Sequence, residues 1–441
     1  MNITTKENNF NKNLFGKILI CVLIVLASWI IGALLETLVY CIPTDPIREN
    51  ISRGINIYNV ETNFYMYADG YYSTMNDNDS DSVILCETGY STGRPLYDAM
   101  ASAHPYGNEA RVNDIIAWSF FHDDDYSIEY YSRYWHGYVT LFKPLFYFFS
   151  FADMRVIKYI VELFLYAVTG FFLLTKTDFG KEYSIAYLSV LVMLNPVIIA
   201  LAFQYMPCTY IALLTTIVIL KCKVKVWDDK LIYIMLISGI LTSFFDFLTF
   251  PIITLGIPLA VTLLYDGNVV RKIKSMIGVS FAWSFGYIGM WVGKWILSSV
   301  VVGFDVIGQA FHFVQHRTGN LDPETTRIKA LFHVARVMIK RPYVLFYFAV
   351  LIYLLIKYII PVIKKKKLSE MAKQFLPFAI LALYSVVWIM FTFQHCFENI
   401  KFTYRNYAVM AFALIIGVIY SGNYALKSIA EHQNGEEPSD E

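Results

Sequence analysis

The chain has 441 residues, 57% of them hydrophobic and only 16% charged, where an ordinary soluble domain carries about 25% charged residues. Its 36 Lys and Arg against 35 Asp and Glu leave a net charge of +1, so there is no basic field of the kind that holds nucleic acid. A soluble nucleotide-sugar enzyme and a nucleic-acid binder are both excluded, and the expected fold class is an all-α integral membrane protein. Aromatic residues at 17% suit a chain with many side chains at membrane–water boundaries.

In chain order, residues 1–16 form a polar, cytoplasmic lead into an apolar run at 17–40. That run has no small-residue cleavage site, so it is expected to be a retained first span. Further runs fall near 154–175, 183–203, 208–222, 231–249, 251–266, 276–301, 343–363, 371–394 and 406–424. A span needs about 20 apolar residues, which makes about ten transmembrane helices, two of them (208–222 and 251–266) short. With the N-terminus inside, the inner segments hold Lys6, Lys12, Lys17, Lys176, Lys181, Lys221, Lys223, Lys225, Lys230, Arg271, Lys272, Lys274 and Lys364–Lys367. The short outer turns near Pro207 and Asp246 hold neither Lys nor Arg. The expected organisation is a large, partly helical extracytoplasmic loop at 41–153, a multi-span domain at 154–424 with a second outer segment near 302–342, and a cytoplasmic tail at 425–441. The tail is polar and acidic and expected to be disordered. The protein is thus placed in the cell membrane as a multi-pass chain with both termini cytoplasmic.

The first outer loop opens with Ile42-Pro43-Thr44-Asp45-Pro46, where two prolines end the first helix, and Ile47–Tyr58 is expected to form a short helix. Asp77, Asp79 and Asp81 follow in Asn76-Asp77-Asn78-Asp79-Ser80-Asp81, with Ser80 or Asp81 as a cap for a helix starting there. The cluster reads either as a solvated capping turn or as a catalytic carboxylate with a neighbour that positions a cation or sugar hydroxyls. The match to a calcium loop lacks its glycine. Asn113–Phe121 is amphipathic, and His122-Asp123-Asp124-Asp125 reads as a solvated turn. The aromatic stretch Tyr130–Phe151 is expected to lie in the membrane interface, with Pro144 against a straight span. On a helix its Arg133 and His136 would share one face, either snorkelling or facing a lipid phosphate. Cys41 and Cys86 lie in positions where they could meet outside the bilayer, whereas Cys21 and Cys222 belong in or inside it.

Asp246, among phenylalanines at the outer end of two spans, must be paired or functional. His312 and His316 have metal-ligand spacing without a third ligand, and Arg317 beside them suits an anion contact. Arg336, Lys340 and Arg341 suit headgroup anchoring. In the last outer stretch, Gln394–Arg405, His395, Tyr404 and Arg405 are candidates for holding a phosphate, Arg405 by its forked guanidinium.

A first span, a long outer loop with an acidic site and many later spans resemble the C-type fold of integral membrane glycosyltransferases. The likeness extends to a poorly characterised bacterial set sharing Pro43-Thr44 with Glu49-Asn50, the acidic run Asp77–Asp81, Arg133–Tyr138 (Arg-Tyr-Trp-His-Gly-Tyr) and Phe402–Arg405 (Phe-Thr-Tyr-Arg). A tandem acidic pair directly after the first span is absent here; Asp45 is the only acid there. The resemblance implies inverting transfer of a sugar from a polyprenyl-phosphate donor to a cell-surface glycan or lipid-linked acceptor on the outer face. Asp77 or Asp81 is then the expected base, with Asp246 as a third candidate. Asp45, Glu49, Arg133, His136, Arg317, His395, Tyr404 and Arg405 are the expected substrate contacts. No cofactor is required, although a divalent cation is compatible. The rival is a transporter or lipid-linked sugar flippase, for which Glu162, Asn195-Pro196 and Lys294 are the polar groups within spans.

Overall fold

The computed structural model describes residues 3–107, 126–178, 180–265, 267–321 and 323–433, with side chains described from 14 to 427 within these. The amphipathic Asn113–Phe121, the turn His122–Asp125 and most of the acidic tail lie outside the described residues.

Helix α1 (Ile3–Val39) is followed by an outer region built from α2 (Thr44–Ser52), α3 (Asn78–Gly89), α4 (Pro95–Ala101), a two-stranded antiparallel sheet of β1 (Ala103–Gly107) and β2 (Tyr126–Tyr130), and α5 (Val139–Phe146). The remainder is helical: α6 (Phe151–Lys176), α7 (Gly180–Leu194), α8 (Pro196–Leu201), α9 (Met206–Cys222), α10 (Asp229–Phe245), α11 (Ile253–Thr262), α12 (Val269–Val302), α13 (Val306–Arg317) and α14 (Arg327–Ala335). It closes with α15 (Arg341–Leu354), which continues through a π turn into α16 (Ile360–Lys364), then α17 (Leu368–Phe391), α18 (Phe393–Glu398), α19 (Ile400–Thr403) and α20 (Tyr407–Gln433).

Among the described residues, six helices are long and apolar enough to cross a membrane: α1, α6, α12, the α15–α16 rod, α17, and the stretch from Ile400 to Lys427. Their outer surfaces expose large apolar side chains such as Phe164, Phe281, Val300, Leu345 and Phe391, as expected of helices that face lipid. The expected count of ten spans is met in part. The other four positions are helical but shorter: α7 with α8, α9, α10 and α11 run 15, 6, 17, 17 and 10 residues.

The 183–203 run is not one helix because it breaks at Asn195. That residue takes a left-handed backbone, φ 55°, and Pro196 starts the next helix. Glycines allow the closest helix contact. A Cβ on Gly239 would lie 2.1 Å from the Trp283 carbonyl oxygen, and one on Gly286 would lie 2.3 Å from that of Leu236, so α10 and α12 pack backbone to backbone.

The outer loop folds onto the helices instead of standing in solvent. The first short helix is Thr44–Ser52, earlier than expected, because Thr44 and Asp45 begin it directly behind Pro43. Asn50 donates to the carbonyls of Phe146 and Tyr147 (2.9 and 3.1 Å), pinning the end of α5. Within Tyr130–Phe151, Trp135, Phe142 and Phe146 are buried against Phe244 and Phe203, and Tyr138 against Phe247, while Leu141, Phe148 and Phe149 stay exposed. Gly137 makes this docking possible. Its N–H donates to the Phe244 carbonyl at 2.8 Å, and a Cβ there would lie 2.3 Å from the Phe244 ring.

Two buried ion pairs join loop to helices. Arg155 of α6 forks onto Glu61 at 2.9 and 2.8 Å, and Lys294 of α12 reaches Glu36 of α1 at 3.4 Å and the Ala99 carbonyl at 2.6 Å. Lys294, which a transporter reading would place in a substrate path, is thus bound within the packing. None of the six cysteines forms a disulfide, Cys41 and Cys86 included.

Candidate functional site

The acidic run Asp77–Asp81 is not a solvated turn; its three carboxylates have three different surroundings. Asp77, not Ser80 or Asp81, caps α3: its side chain accepts from the Ser80 N–H (3.2 Å), and its other oxygen lies 3.3 Å from Lys401 Nζ. Asp81 is fully buried and accepts the N–H groups of Phe203 (2.9 Å to each oxygen) and Gln204 (3.1 Å). Those N–H groups belong to the break between α8 and α9, where irregular backbone inside a membrane protein has to be satisfied by side chains. Both Asp81 carboxylate oxygens are therefore engaged in a structural task. Asp79 is half-buried, and among the described residues its carboxylate accepts a single long hydrogen bond, from Asn63 at 3.5 Å. It opens into a polar cavity of about 250 Å³. Burial, and then the neighbouring Asp77, push its carboxyl up from the usual carboxylate value, while Lys401 pulls the other way.

The other walls of this cavity come from His104 of β1, Glu129 of β2, Tyr131, Arg133, Gln204, Phe247, Arg317, His395 and Asn399. Beside it lies an apolar cavity of about 260 Å³ between α12, α13 and α17, lined by Trp283, Tyr287, Ile288, Trp291, Trp295, Phe313, Trp388 and Phe391. Ile288 and Phe391, which line it, are exposed, and they belong to two helices long and apolar enough to span a membrane. Arg133 and Arg317 line both cavities. The Arg133 guanidinium lies between the rings of Tyr131 and Phe313, 4.0 and 3.7 Å from their centroids. Arg317 donates to Glu398 at 2.8 Å. The Nε of each arginine is buried with no hydrogen-bond partner among the described residues.

Arg133 and His136 do not share a helix face, because 131–138 is irregular and His136 is left-handed at φ 42°. His136 turns away from Arg133 and is buried, with Nδ1 2.6 Å from Glu87 and Nε2 3.0 Å from the Tyr131 carbonyl oxygen. Tyr138 also donates to Glu87. Burial raises the Glu87 carboxyl, but the His136 and Tyr138 contacts outweigh it and hold it below its usual value.

Arg405 does not stand at the membrane surface. It is fully buried, donating to the carbonyls of Leu194 (2.8 Å) and Lys401 (3.1 Å) and stacking on Tyr205. The Leu194 carbonyl is one that the break at Asn195 leaves without its helical partner, so Arg405 repairs the α7 terminus. Tyr404 is buried beside it. Asp246 is paired: Thr249 donates to it through its N–H (2.9 Å) and its hydroxyl, closing the turn between α10 and α11. Asp45 and Glu49 are exposed on α2, away from both cavities, and Glu49 pairs with Arg53. His395 lines the polar cavity, with Nε2 2.7 Å from the Leu248 carbonyl oxygen.

Of the residues expected from sequence, the structure brings Arg133, Arg317 and His395 together with Asp79. It keeps Asp77, Asp81, Asp246, His136, Tyr404, Arg405, Asp45 and Glu49 out of the cavity walls. His104, Glu129 and Gln204 were missed, since a lone histidine and glutamate 25 positions apart carry no spacing signal until the hairpin pairs them. Among the described residues, no group of three or more His, Cys, Asp or Glu side chains converges as a metal site. No family model, curated protein or solved structure matches the chain.

Proposed function

We propose that the protein is a membrane glycosyltransferase that takes its sugar from a polyprenyl-phosphate donor and acts on the outer face of the membrane. The observation that carries the reading is the shared wall. Two arginines with unsatisfied Nε groups stand where an apolar groove meets a polar cavity holding a carboxylate with spare capacity. An isoprenoid chain suits the aromatic groove, a phosphate suits the paired guanidinium groups, and a sugar suits the polar side.

In this reading Asp79 takes the proton from the acceptor hydroxyl. The freed oxygen pair forms the new bond to the anomeric carbon, whose bond to the phosphate oxygen breaks with inversion. The electron pair stays on the departing lipid phosphate, where Arg133 and Arg317 meet the growing charge. Asp79 replaces Asp77 and Asp81 as base because those two are engaged in capping and in bracing the α8–α9 break. The helix ends support the outer placement. Both cavities lie at the end opposite the lysine-rich segments, where Lys17 pairs with Asp229 at 2.7 Å.

The test is sugar transfer by purified protein in liposomes carrying polyprenyl-phosphate sugars and a panel of glycan and lipid-linked acceptors. Wild type should consume donor, and Arg133→Ala and Arg317→Ala should each lower turnover by about 10- to 100-fold, as loss of a charge-assisted contact implies. Lipid-linked sugar crossing the bilayer without covalent transfer would replace this reading with a flippase.

A further inference from the structure

The reading above gives a role to one wall of the polar cavity and leaves the wall formed by the β-hairpin without one. His104 and Glu129 are directly opposed residues of the antiparallel pair, so both side chains emerge on the same side of the hairpin. The two line the same polar cavity as Asp79, Arg133 and Arg317. His104 is only 1% exposed, yet neither ring nitrogen has a hydrogen-bond partner among the described residues. Its Nε2 is 3.9 Å from Glu129 Oε2, beyond hydrogen-bond length, and the Glu129 side chain remains half exposed. Gln204 Nε2, on the same cavity, is also buried without a partner. Burying an imidazole and an amide without partners is costly, so two such groups converging on one cavity, beside the half-exposed Glu129 carboxylate, mark a place built for a polar ligand. Tyr106, on the same strand as His104, adds a half-exposed aromatic ring. Hydroxyl-binding groups of mixed donor and acceptor type beside an aromatic ring suit a carbohydrate.

We infer that His104 and Glu129 form an acceptor subsite, in which a sugar of the acceptor binds between the hairpin and α3 with its attacking hydroxyl toward Asp79. This rests on the transferase reading for its direction but not for its test. The imidazole and the carboxylate hold two hydroxyls of the acceptor sugar, Gln204 a third, and the Tyr106 ring its apolar face. Both groups act as positioning residues and take no part in bond breaking.

The experiment measures binding of free sugars to the detergent-purified protein, without donor, by saturation-transfer NMR. The probes are a panel of methyl glycosides and disaccharides of hexoses, N-acetylhexosamines and pentoses. Wild type should receive signal from at least one sugar, and His104→Gln and Glu129→Gln should each weaken it about tenfold while eluting and melting as wild type does. Glu129→Gln serves where His104→Gln unfolds, because its side chain stands half in solvent. Absence of sugar binding in wild type, or binding unchanged in folded variants, overturns the inference. Donor consumption is scored separately. Donor hydrolysis by water that persists in both variants while acceptor KM rises supports the subsite, and parallel loss of hydrolysis and transfer overturns it. A wild type that binds sugar yet consumes no donor keeps the subsite and removes the transferase.

Discussion

Three aspartates at alternate positions separate into a capping role, a proposed catalytic role and a bracing role, and substitution distinguishes these by two readouts. In Asp81→Ala, the Phe203 and Gln204 N–H groups lose their acceptor in a fully buried place. Each orphaned donor costs about 1–3 kcal/mol, so the variant should lose about 2–6 kcal/mol of stability. Asp79→Asn removes only one 3.5 Å contact from a half-buried side chain, and its stability should change by less than about 0.5 kcal/mol. Its sugar transfer should fall by about 10²- to 10⁴-fold, the usual contribution of a general base. Asp77→Asn keeps the α3 cap, since asparagine caps as well as aspartate, and should keep most of both. Thermal unfolding in detergent, followed by tryptophan fluorescence, measures the first quantity. Transfer in liposomes, normalised to folded protein, measures the second. The assignment is refuted if Asp79→Asn transfers like wild type, or if Asp81→Ala melts like wild type and is inactive.

Other expectations follow from the same contacts. Because Asp77 raises the Asp79 carboxyl and Lys401 lowers it, Asp77→Asn should move the acid limb of the pH–rate profile down and Lys401→Gln should move it up; shifts of the same sign would contradict this. Glu61 and Glu87 are both held below the usual carboxylate value of 4.5 in spite of burial, by Arg155 and by His136 with Tyr138 respectively. A depressed folded value gives stability that is fully present above 4.5 and lost as pH falls below it through the folded values, so the melting temperature should be level at neutral pH and drop on acidification. Glu61→Gln should flatten that drop while lowering stability at pH 7 by about 3–5 kcal/mol, because it strands Arg155. Gly137→Ala places a methyl group against the Phe244 ring and carbonyl, and limited proteolysis should find the outer loop released from the helices.

The membrane class, and helical segments at nearly every expected position, were legible because apolar runs of span length have few other uses. Span number was less legible: the break at Asn195 rests on one left-handed residue, on a bond from Arg405 to the Leu194 carbonyl and on one from the Asn195 amide to the Ser73 carbonyl, which no local pattern encodes. Arg133, Arg317 and His395 stood out as polar groups in expected outer segments, and all three line the polar cavity. Arg405 and Asp81 misled for one reason. Charged residues beside membrane spans suggest chemistry, and here they satisfy backbone groups that broken helices leave open. Asp79 looked equivalent to its neighbours until the turn of α3 sent the three carboxylates in different directions.

The Glu36–Lys294 pair has a consequence for how the protein is made. The partners are 258 residues apart, and Lys294 also holds the Ala99 carbonyl of α4. During synthesis α1 leaves the translocon with its carboxyl uncompensated, and α4 has no cationic clasp until α12 emerges. The outer loop therefore reaches its final seat late, after more than half of the polypeptide has been inserted. Truncated nascent chains ending before α12 should remain open to surveillance proteases that recognise exposed intramembrane charge.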